Sequence, residues 1–547
     1  MIPPRLLQPL GQLSRRGPAR ALEAAGRDLR GVQSARLMDI LGRNADTAWG
    51  REHGFAAIRG PEDFRRQPLV SADALAPWVD RILAGEDGVL TAERPIAFTT
   101  TSGSTGGSKT VPITPRYCRE FQASMMASLW HVYRAFPRAF RGRGLYFVGR
   151  ARASESQGRP IGSMSGFNYS ALPRVIRSLY AFPEPLLHVI DAETRLYLGL
   201  HFAACDHVTL AGAIFPVTVV LFLRGLPRHR DALIHHIARG TLPDWLVLDP
   251  TLRKALTSAV RPRPDVAARL AAAPHEGPGL TAAALPHLHL LLCWTSATAA
   301  LYLPELQAQL PEGVHIRDAV YAAAEGWCNV PLGEPTPGGP LAAHGHYFEF
   351  VPEADYTAGS TDAIGAESLR EGERYAILIT NSSGLYRYRL DDVIAVDGFW
   401  KGLPRIRFVR KLGAHCSLVG EKLDESHVND AMTELLTDGP RLTWFCLAPA
   451  TDRPTAYDLW VEGDASLDAD ALAARLDARL HARLFDWAGH RDEGALGPIR
   501  AHALPVGTYE AWRDSVAAAG GEVAQMKTAH LVEDASRIPA ALRAAQA

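Results

Sequence analysis

The sequence predicts an α/β protein in two parts: a large body over residues 1–410 built on β-sheets packed with helices, and a small α+β unit over residues 411–547 on a hinge. Three observations predict it. Strand-like runs of β-branched and apolar residues mix with helical patterns through the first part, as large sheets covered by helices require. After Phe408-Val409 the texture changes at the polar run Arg410-Lys411-Leu412-Gly413, and a shorter helix, hairpin, helix, strand, helix pattern follows. The 547 residues leave room for two to four compact units, at roughly 100–200 residues each.

Each element has a local reason. A basic lead-in, with four Arg and no acid before residue 21, runs into an amphipathic helix expected around 22–41. It lacks the apolar core of a secretory signal; an organelle transit segment is the lesser alternative. Residues 35–83 read as helix and loop. A strand is expected at 95–101, a small-residue loop at 102–108 and a second short strand at 109–114. Thr114-Pro115 then reads as N-cap and first helical position of a helix running to about Phe136. A central strand is expected at 145–148. The region 191–310 reads as helical and Ala/Leu-rich, interrupted by a strand at 288–294. Further strands are expected at 320–322, 347–351, 375–380 and 386–396. In the small unit, a helix from Asp424, a hairpin (442–447 and 456–462), a helix at 467–487, a strand at 499–504 and a helix at 509–519 complete the pattern.

Composition excludes several classes. Hydrophobic residues make up 47% and charged residues 21%, which is globular rather than disordered. With 58 Lys and Arg against 59 Asp and Glu the net charge is -1, so no electrostatic footprint for nucleic acid or an anionic membrane exists. Two stretches lack charge, 208–223 and 277–304. Pro216 interrupts the first, which is also short for a span; the second holds Pro286, His287 and His289. Both read as buried helices or strands of a soluble protein. The six Cys form no C-x-x-C pair, which fits a reduced cytoplasmic protein without structural zinc. Only six Lys occur, at 109, 254, 401, 411, 422 and 527.

The most informative segment is Thr99-Thr100-Thr101-Ser102-Gly103-Ser104-Thr105-Gly106-Gly107-Ser108-Lys109-Thr110. Three glycines let the backbone approach a ligand, hydroxyls add donors, and Lys109 supplies a point charge, the composition of a polyphosphate cradle. A Walker A loop would need a second Gly where Ser108 stands, and a helix at once after the Lys. Val111-Pro112-Ile113 favours strand instead. The expectation is a strand–loop–strand cradle, unlike that of P-loop kinases.

This loop resembles the phosphate-binding loop of the acyl-adenylate-forming superfamily. The form Thr101 to Gly107, with Lys109, Pro112 and Thr114, is most similar to the auxin-responsive-promoter family, the plant acyl acid–amino acid amido synthetases and their bacterial relatives. Thr47-Ala48-Trp49-Gly50, His53-Gly54-Phe55, Phe64 and Pro68-Leu69-Val70 resemble that family's N-terminal region. The resemblance covers most of the chain and implies the acyl-adenylate-forming enzyme fold. It also implies phosphate contacts for Thr101, Ser102, Gly103, Ser104, Thr105, Gly106 and Lys109.

Further motifs extend it. Tyr321-Ala322-Ala323-Ala324-Glu325 resembles the family's aromatic–x–x–[Ser/Thr]–Glu motif, implying Tyr321 on adenine and Glu325 on Mg²⁺; Ala324 replaces the usual hydroxyl. Tyr386-Arg387-Tyr388-Arg389-Leu390-Asp391-Asp392 resembles a Tyr-Arg-Tyr-Arg-Leu-Gly-Asp motif, implying Asp392 as the ribose-binding acid, with Asp391 in place of Gly. The hinge cation falls on Lys411, with Arg410 beside it, and Lys422 lies in the best-matched part of the junction. Gln525-Met526-Lys527 resembles a Gln–aromatic–Lys motif, implying Lys527 at the α-phosphate.

The activity implied is ATP- and Mg²⁺-dependent adenylation of a small-molecule carboxylic acid and transfer of the acyl group to an amino acid or other amine. No nucleic acid, membrane or obligate protein partner is expected. One alternative is a ligase of the same superfamily that delivers the acyl group to coenzyme A or a carrier-protein thiol. The other is a nucleotide-binding relative that has lost catalysis, suggested by Ala324, Asp391 and Met526.

Overall fold

The computed structural model describes residues 4–101, 109–149, 154–412, 415–419, 421, 423–436, 440–453, 455–492, 494–518 and 529–545. The chain folds into two compact units, Met1–Ser296 with Leu306–Phe408, and Ala297–Glu305 with Val409–Ala547.

Three sheets organise the first unit. The strands Arg143–Tyr146, Val208–Gly212, Leu290–Cys293 and His315–Asp318 lie parallel in that order. Leu290–Cys293 is buried at every residue, as a central strand with both faces covered must be. Asp318, itself buried, ties two strand ends together by accepting from the backbone N–H of Thr295 (3.0 Å) and of Gly338 (2.8 Å). A second sheet has the order Gly339–Pro340, Leu403–Lys411, Tyr388–Trp400, Arg374–Thr380, Tyr347–Pro352, Ile364–Gly365.

The third sheet carries the expected hairpin. Ala97–Thr101 pairs antiparallel with Lys109–Ile113, from Ala97 opposite Ile113 to Thr101 opposite Lys109. Lys109–Ile113 is an edge strand, where Pro112 removes no needed ladder bond. Thr114 then caps the helix Pro115–Ala135, its hydroxyl accepting from Tyr117 N–H at 3.1 Å.

Three expectations are corrected and one is made more specific. The helix foreseen at 22–41 is two helices, Pro4–Ala25 and Leu29–Arg43. Gly26 lies against the Lys401 carbonyl, where a Cβ would come within 2.0 Å, and Asp28 caps the second helix by accepting from Gly31 N–H at 2.9 Å. The uncharged stretch at 208–223, expected as buried helix or strand, is both: the strand Val208–Gly212 and the start of the helix Pro216–Arg239, with Pro216 in its first turn. The strand foreseen at 320–322 ends earlier, at Asp318, and Ala322–Ala323 belongs to a separate small ribbon with Gly326–Trp327. The helix foreseen at 467–487 breaks at Leu484 into Ala469–Arg483 and Phe485–Asp492.

In the second unit Leu442–Pro449, Tyr457–Gly463 and Arg500–Ala503 form one sheet. Phe445, Tyr457, Leu476, Leu480 and Trp487 share its buried core. Among the described residues no helix is long and apolar enough to cross a membrane.

Among the described residues five histidines are buried and have pKa values depressed chiefly by that burial: His201, His229 and His530 to about 4, His346 well below its ordinary value, and His131 in the same direction. Each stays neutral in the fold while its unfolded counterpart takes up a proton below about 6.5. Both units therefore lose stability as pH falls from about 6.5 toward 4, by up to about 1.4 kcal/mol per pH unit for each histidine. Denaturant midpoints at pH 7 and pH 5 check this; a midpoint equal or higher at pH 5 contradicts it.

Candidate active site

In parallel α/β sheets, ligand-binding residues gather just beyond the carboxyl ends of strands. Tyr321 stands there, three residues past the strand His315–Asp318. Its backbone N–H is held by Asn329 Oδ1 at 2.8 Å, and Asn329 Nδ2 donates to the Ile406 carbonyl at 3.0 Å. The ring is buried against Phe408, centroids 5.4 Å apart, and the hydroxyl donates to Asp392 Oδ2 at 2.7 Å. Burial first, and Asp392 second, push the Tyr321 hydroxyl well above its ordinary pKa, so it stays a donor.

The ribbon that follows presents Glu325. Ala323 pairs with Gly326, which makes Ala324 and Glu325 the two residues of a tight hairpin turn. Gly326 packs closely there, a Cβ on it lying 2.2 Å from Ile379 Cδ1. Glu325 is buried (8% exposed), as is Asp392 (6% exposed). The Tyr388 hydroxyl is raised by burial first and then by the charges of Glu325, Asp391, Asp73 and Asp392.

Asp391, where the resembled family has Gly, takes φ +55, in the left-handed region that Gly occupies freely and Asp tolerates. Its carboxylate is anchored by the Tyr356 hydroxyl at 2.9 Å and by Arg389 Nη2 at 3.0 Å. Asp391 thus occupies an irregular position inside the strand Tyr388–Trp400, where the register against Arg374–Thr380 shifts. Asp391→Val is expected to destabilise by about 2 kcal/mol, and Asp391→Gly to stay within about 1 kcal/mol of the parent. Urea midpoints of both variants check it; equal losses for Val and Gly would contradict the backbone account.

The hairpin of Ala97–Thr101 and Lys109–Ile113 joins this cluster through a buried turn. Asn381 Nδ2 donates to the Glu325 carbonyl at 2.6 Å, Thr114 Oγ1 donates to the Ser382 carbonyl at 2.8 Å, and Ser383 Oγ donates to the Pro112 carbonyl. The first unit therefore brings Tyr321, Glu325 and Asp392 together and ties them to the strand that begins at Lys109. Thr101 and Lys109 face each other across the mouth of the hairpin. Ser102, Gly103, Ser104, Thr105 and Gly106 lie outside the described residues, as do Lys422 and Lys527. Lys411 ends the strand Leu403–Lys411, in the residues assigned to the second unit, and its neighbour Arg410 pairs with Asp424 at 3.4 Å.

Sequence reasoning missed Tyr117, Asn329 and Asn381, which hold this cluster by side-chain bonds to backbone. The run Asn381-Ser382-Ser383-Gly384 carried a turn signal; Tyr117 on a helix face carried none.

Three models of one family match the chain: GH3 family N-terminal domain on residues 19–315, GH3 family central domain on 339–411, and GH3 family C-terminal domain on 425–536. The chain belongs to the GH3 family. That membership bears out the resemblance read from the loop and the motifs. Among curated relatives, the chain is 26% identical over 535 residues to indole-3-acetic acid-amido synthetase GH3.8 of Oryza sativa subsp. indica, covering 92% of this chain and 88% of that one. It is 25% identical over 539 residues to jasmonoyl–L-amino acid synthetase JAR6 of Nicotiana attenuata, covering 92% and 90%. The solved structure of the acyl acid amido synthetase AtGH3.15 in complex with 2,4-DB superposes with a TM-score of 0.84 at 20% identity, covering 98% of this chain and 97% of that one. The match to that GH3 structure thus extends over 98% of the chain.

Proposed function

We propose that this GH3 protein is an ATP-dependent acyl acid amido synthetase, which adenylates a carboxylic acid and passes the acyl group to an amino acid or other amine. The observation that carries the reading is the convergence of Tyr321, Glu325 and Asp392 in one buried cluster hydrogen-bonded to the phosphate hairpin. Relatives matched over 92% of this chain are named as an indole-3-acetic acid-amido synthetase and a jasmonoyl–L-amino acid synthetase.

In the first step a carboxylate oxygen of the acid attacks the α-phosphorus of ATP. The bond from that phosphorus to its bridging oxygen breaks, and pyrophosphate leaves. No protein nucleophile is required, so the residues act by positioning and charge stabilisation. Backbone N–H groups and hydroxyls of Thr101 to Gly106, with Lys109, hold the β- and γ-phosphates. Tyr321 offers an aromatic surface to adenine, and Asp392 accepts from the ribose hydroxyls while Tyr321 fixes its rotamer. Glu325, a hard oxygen donor, suits Mg²⁺, which is commonly held by one or two carboxylates together with substrate phosphates and serves to neutralise phosphate charge. Lys527 and the Lys411–Lys422 junction supply cations from the C-terminal part. In the second step the amine nitrogen attacks the acyl carbon, AMP leaves with the bonding pair, and the amine gives up a proton.

A hydroxylamine trap tests the first step. Protein, ATP, Mg²⁺ and a panel of aromatic, indolic and aliphatic acids should give hydroxamate and pyrophosphate with at least one acid. ATP binding without either product across the panel would favour a relative that has lost catalysis.

A further inference from the structure

The turn that presents Glu325 has two carbonyl groups of its own, and a side chain from elsewhere in the fold holds each. Tyr117 donates its hydroxyl to the Ala324 carbonyl at 2.5 Å, and Asn381 donates Nδ2 to the Glu325 carbonyl at 2.6 Å. Tyr117 lies in the first turn of the helix that begins directly after the phosphate hairpin. Asn381 follows the strand Arg374–Thr380 and opens the turn that leads into the strand bearing Asp392. Asn381 is wholly buried and its other amide atom is also used: Oδ1 accepts from Ser383 N–H at 2.8 Å and from Leu385 N–H at 3.4 Å. The same short turn bonds back to Pro112 and Thr114 of the hairpin strand and its cap. A two-residue turn on a ribbon of two short strands has little packing of its own to fix its height and tilt. Here both of its peptide planes are referenced to the elements that flank the nucleotide.

We propose that Asn381 and Tyr117 are positioning residues for Glu325, setting its carboxylate in register with the phosphate hairpin so that metal and nucleotide are bound as one unit. This rests on the proposed role of Glu325. An error of about 1 Å in such a group is enough to cost on the order of 10²-fold in rate. Burial keeps the Tyr117 phenol protonated at any working pH, so its donor role is constant.

Two isosteric variants separate this from a merely structural role. Asn381→Asp keeps the acceptor for Ser383 and Leu385 but loses the donor to Glu325. Tyr117→Phe removes the donor to Ala324 and leaves the helix packing. The first readout is calorimetric affinity for a non-hydrolysable ATP analogue with and without Mg²⁺, and the second is the Mg²⁺ concentration giving half-maximal acid-dependent pyrophosphate exchange. In the parent, Mg²⁺ tightens analogue binding. Both variants are expected to lose about tenfold of that gain, keep their metal-free affinity, and need about tenfold more Mg²⁺ for exchange. Amide formation from supplied acyl-adenylate should stay near the parent rate, since that step no longer uses the metal-bound polyphosphate.

If Asn381→Asp does not fold, Tyr117→Phe alone decides the outcome. Parent-like metal dependence in the folded variants, while Glu325→Gln abolishes it, would overturn the positioning role and leave the Glu325 assignment standing. Parent-like metal dependence in Glu325→Gln itself would overturn the assignment on which the inference rests.

Discussion

Glu325→Gln lowers acid-dependent pyrophosphate exchange by about 10²–10³-fold, with the fold intact. The substitution is isosteric and leaves both carbonyls of the turn in their bonds to Tyr117 and Asn381. What disappears is one buried carboxylate among the charges, with Asp391, Asp73 and Asp392, that act on the Tyr388 hydroxyl. On a structural reading, removing a buried like charge would be neutral or stabilising. On the functional reading it removes the group that would hold Mg²⁺ against the polyphosphate, and charge neutralisation at the transferring phosphorus is the larger part of such catalysis. Thermal stability and exchange rate should therefore move apart. An exchange rate within roughly twofold of the parent would contradict the assignment.

Arg387→Leu is the variant with the largest expected effect on stability, a loss of about 3–5 kcal/mol. Arg387 and Glu349 are each 1% exposed and pair at 3.2 Å through Nε and Oε2. The same guanidinium donates to the carbonyls of Arg65, at 2.5 Å, and Gln67. Leucine would leave a carboxyl and two carbonyls without that donor inside the fold. The pH dependence has a definite sign. Burial already raises the Glu349 pKa, and Arg387 opposes the rise. Without Arg387 the folded-state pKa climbs further, while the unfolded carboxyl keeps its usual value near about 4.3. Between those values the native state binds the extra proton, so the variant's stability falls as pH rises. The deficit against the parent should be smallest near pH 5 and largest near pH 8, measured as the urea midpoint of the first unit. A deficit that grows on acidification would contradict the account. Adding Glu349→Leu to Arg387→Leu should recover part of the loss, since a paired hydrophobic replacement leaves no buried charge.

The fold and the site were legible in the sequence to different depths. The hairpin flanking the loop and the capped helix after it lie within a residue or two of where they were expected, because their causes are local: a Gly/Ser cluster, β-branched neighbours, and a Thr-Pro start. The break at Gly26 was missed although Asp28 offered a local cap; the close approach of the Lys401 carbonyl to Gly26, distant in sequence, carried no local signal. For the same reason Tyr321 was placed within a strand, whereas the strand stops where Asp318 takes its bonds from Thr295 and Gly338. Tyr321, Glu325 and Asp392 could be named because they sit in motifs. Asn381 and Tyr117 could not, since what marks them is a bond to a carbonyl far along the chain. The replacement of Gly by Asp391 was visible as a departure, but only the structure shows the left-handed backbone angle at that point of the strand.

The most direct test of the central claim is the product itself. The protein would be incubated with ATP, Mg²⁺, an acid positive in the hydroxylamine trap, and the twenty amino acids in one arm or coenzyme A in the other, and the acyl product read by mass spectrometry. The account predicts an acyl–amino acid amide formed together with AMP and pyrophosphate, and no thioester. A thioester in the coenzyme A arm with no amide in the amino acid arm would contradict it and assign the chain to thiol acylation.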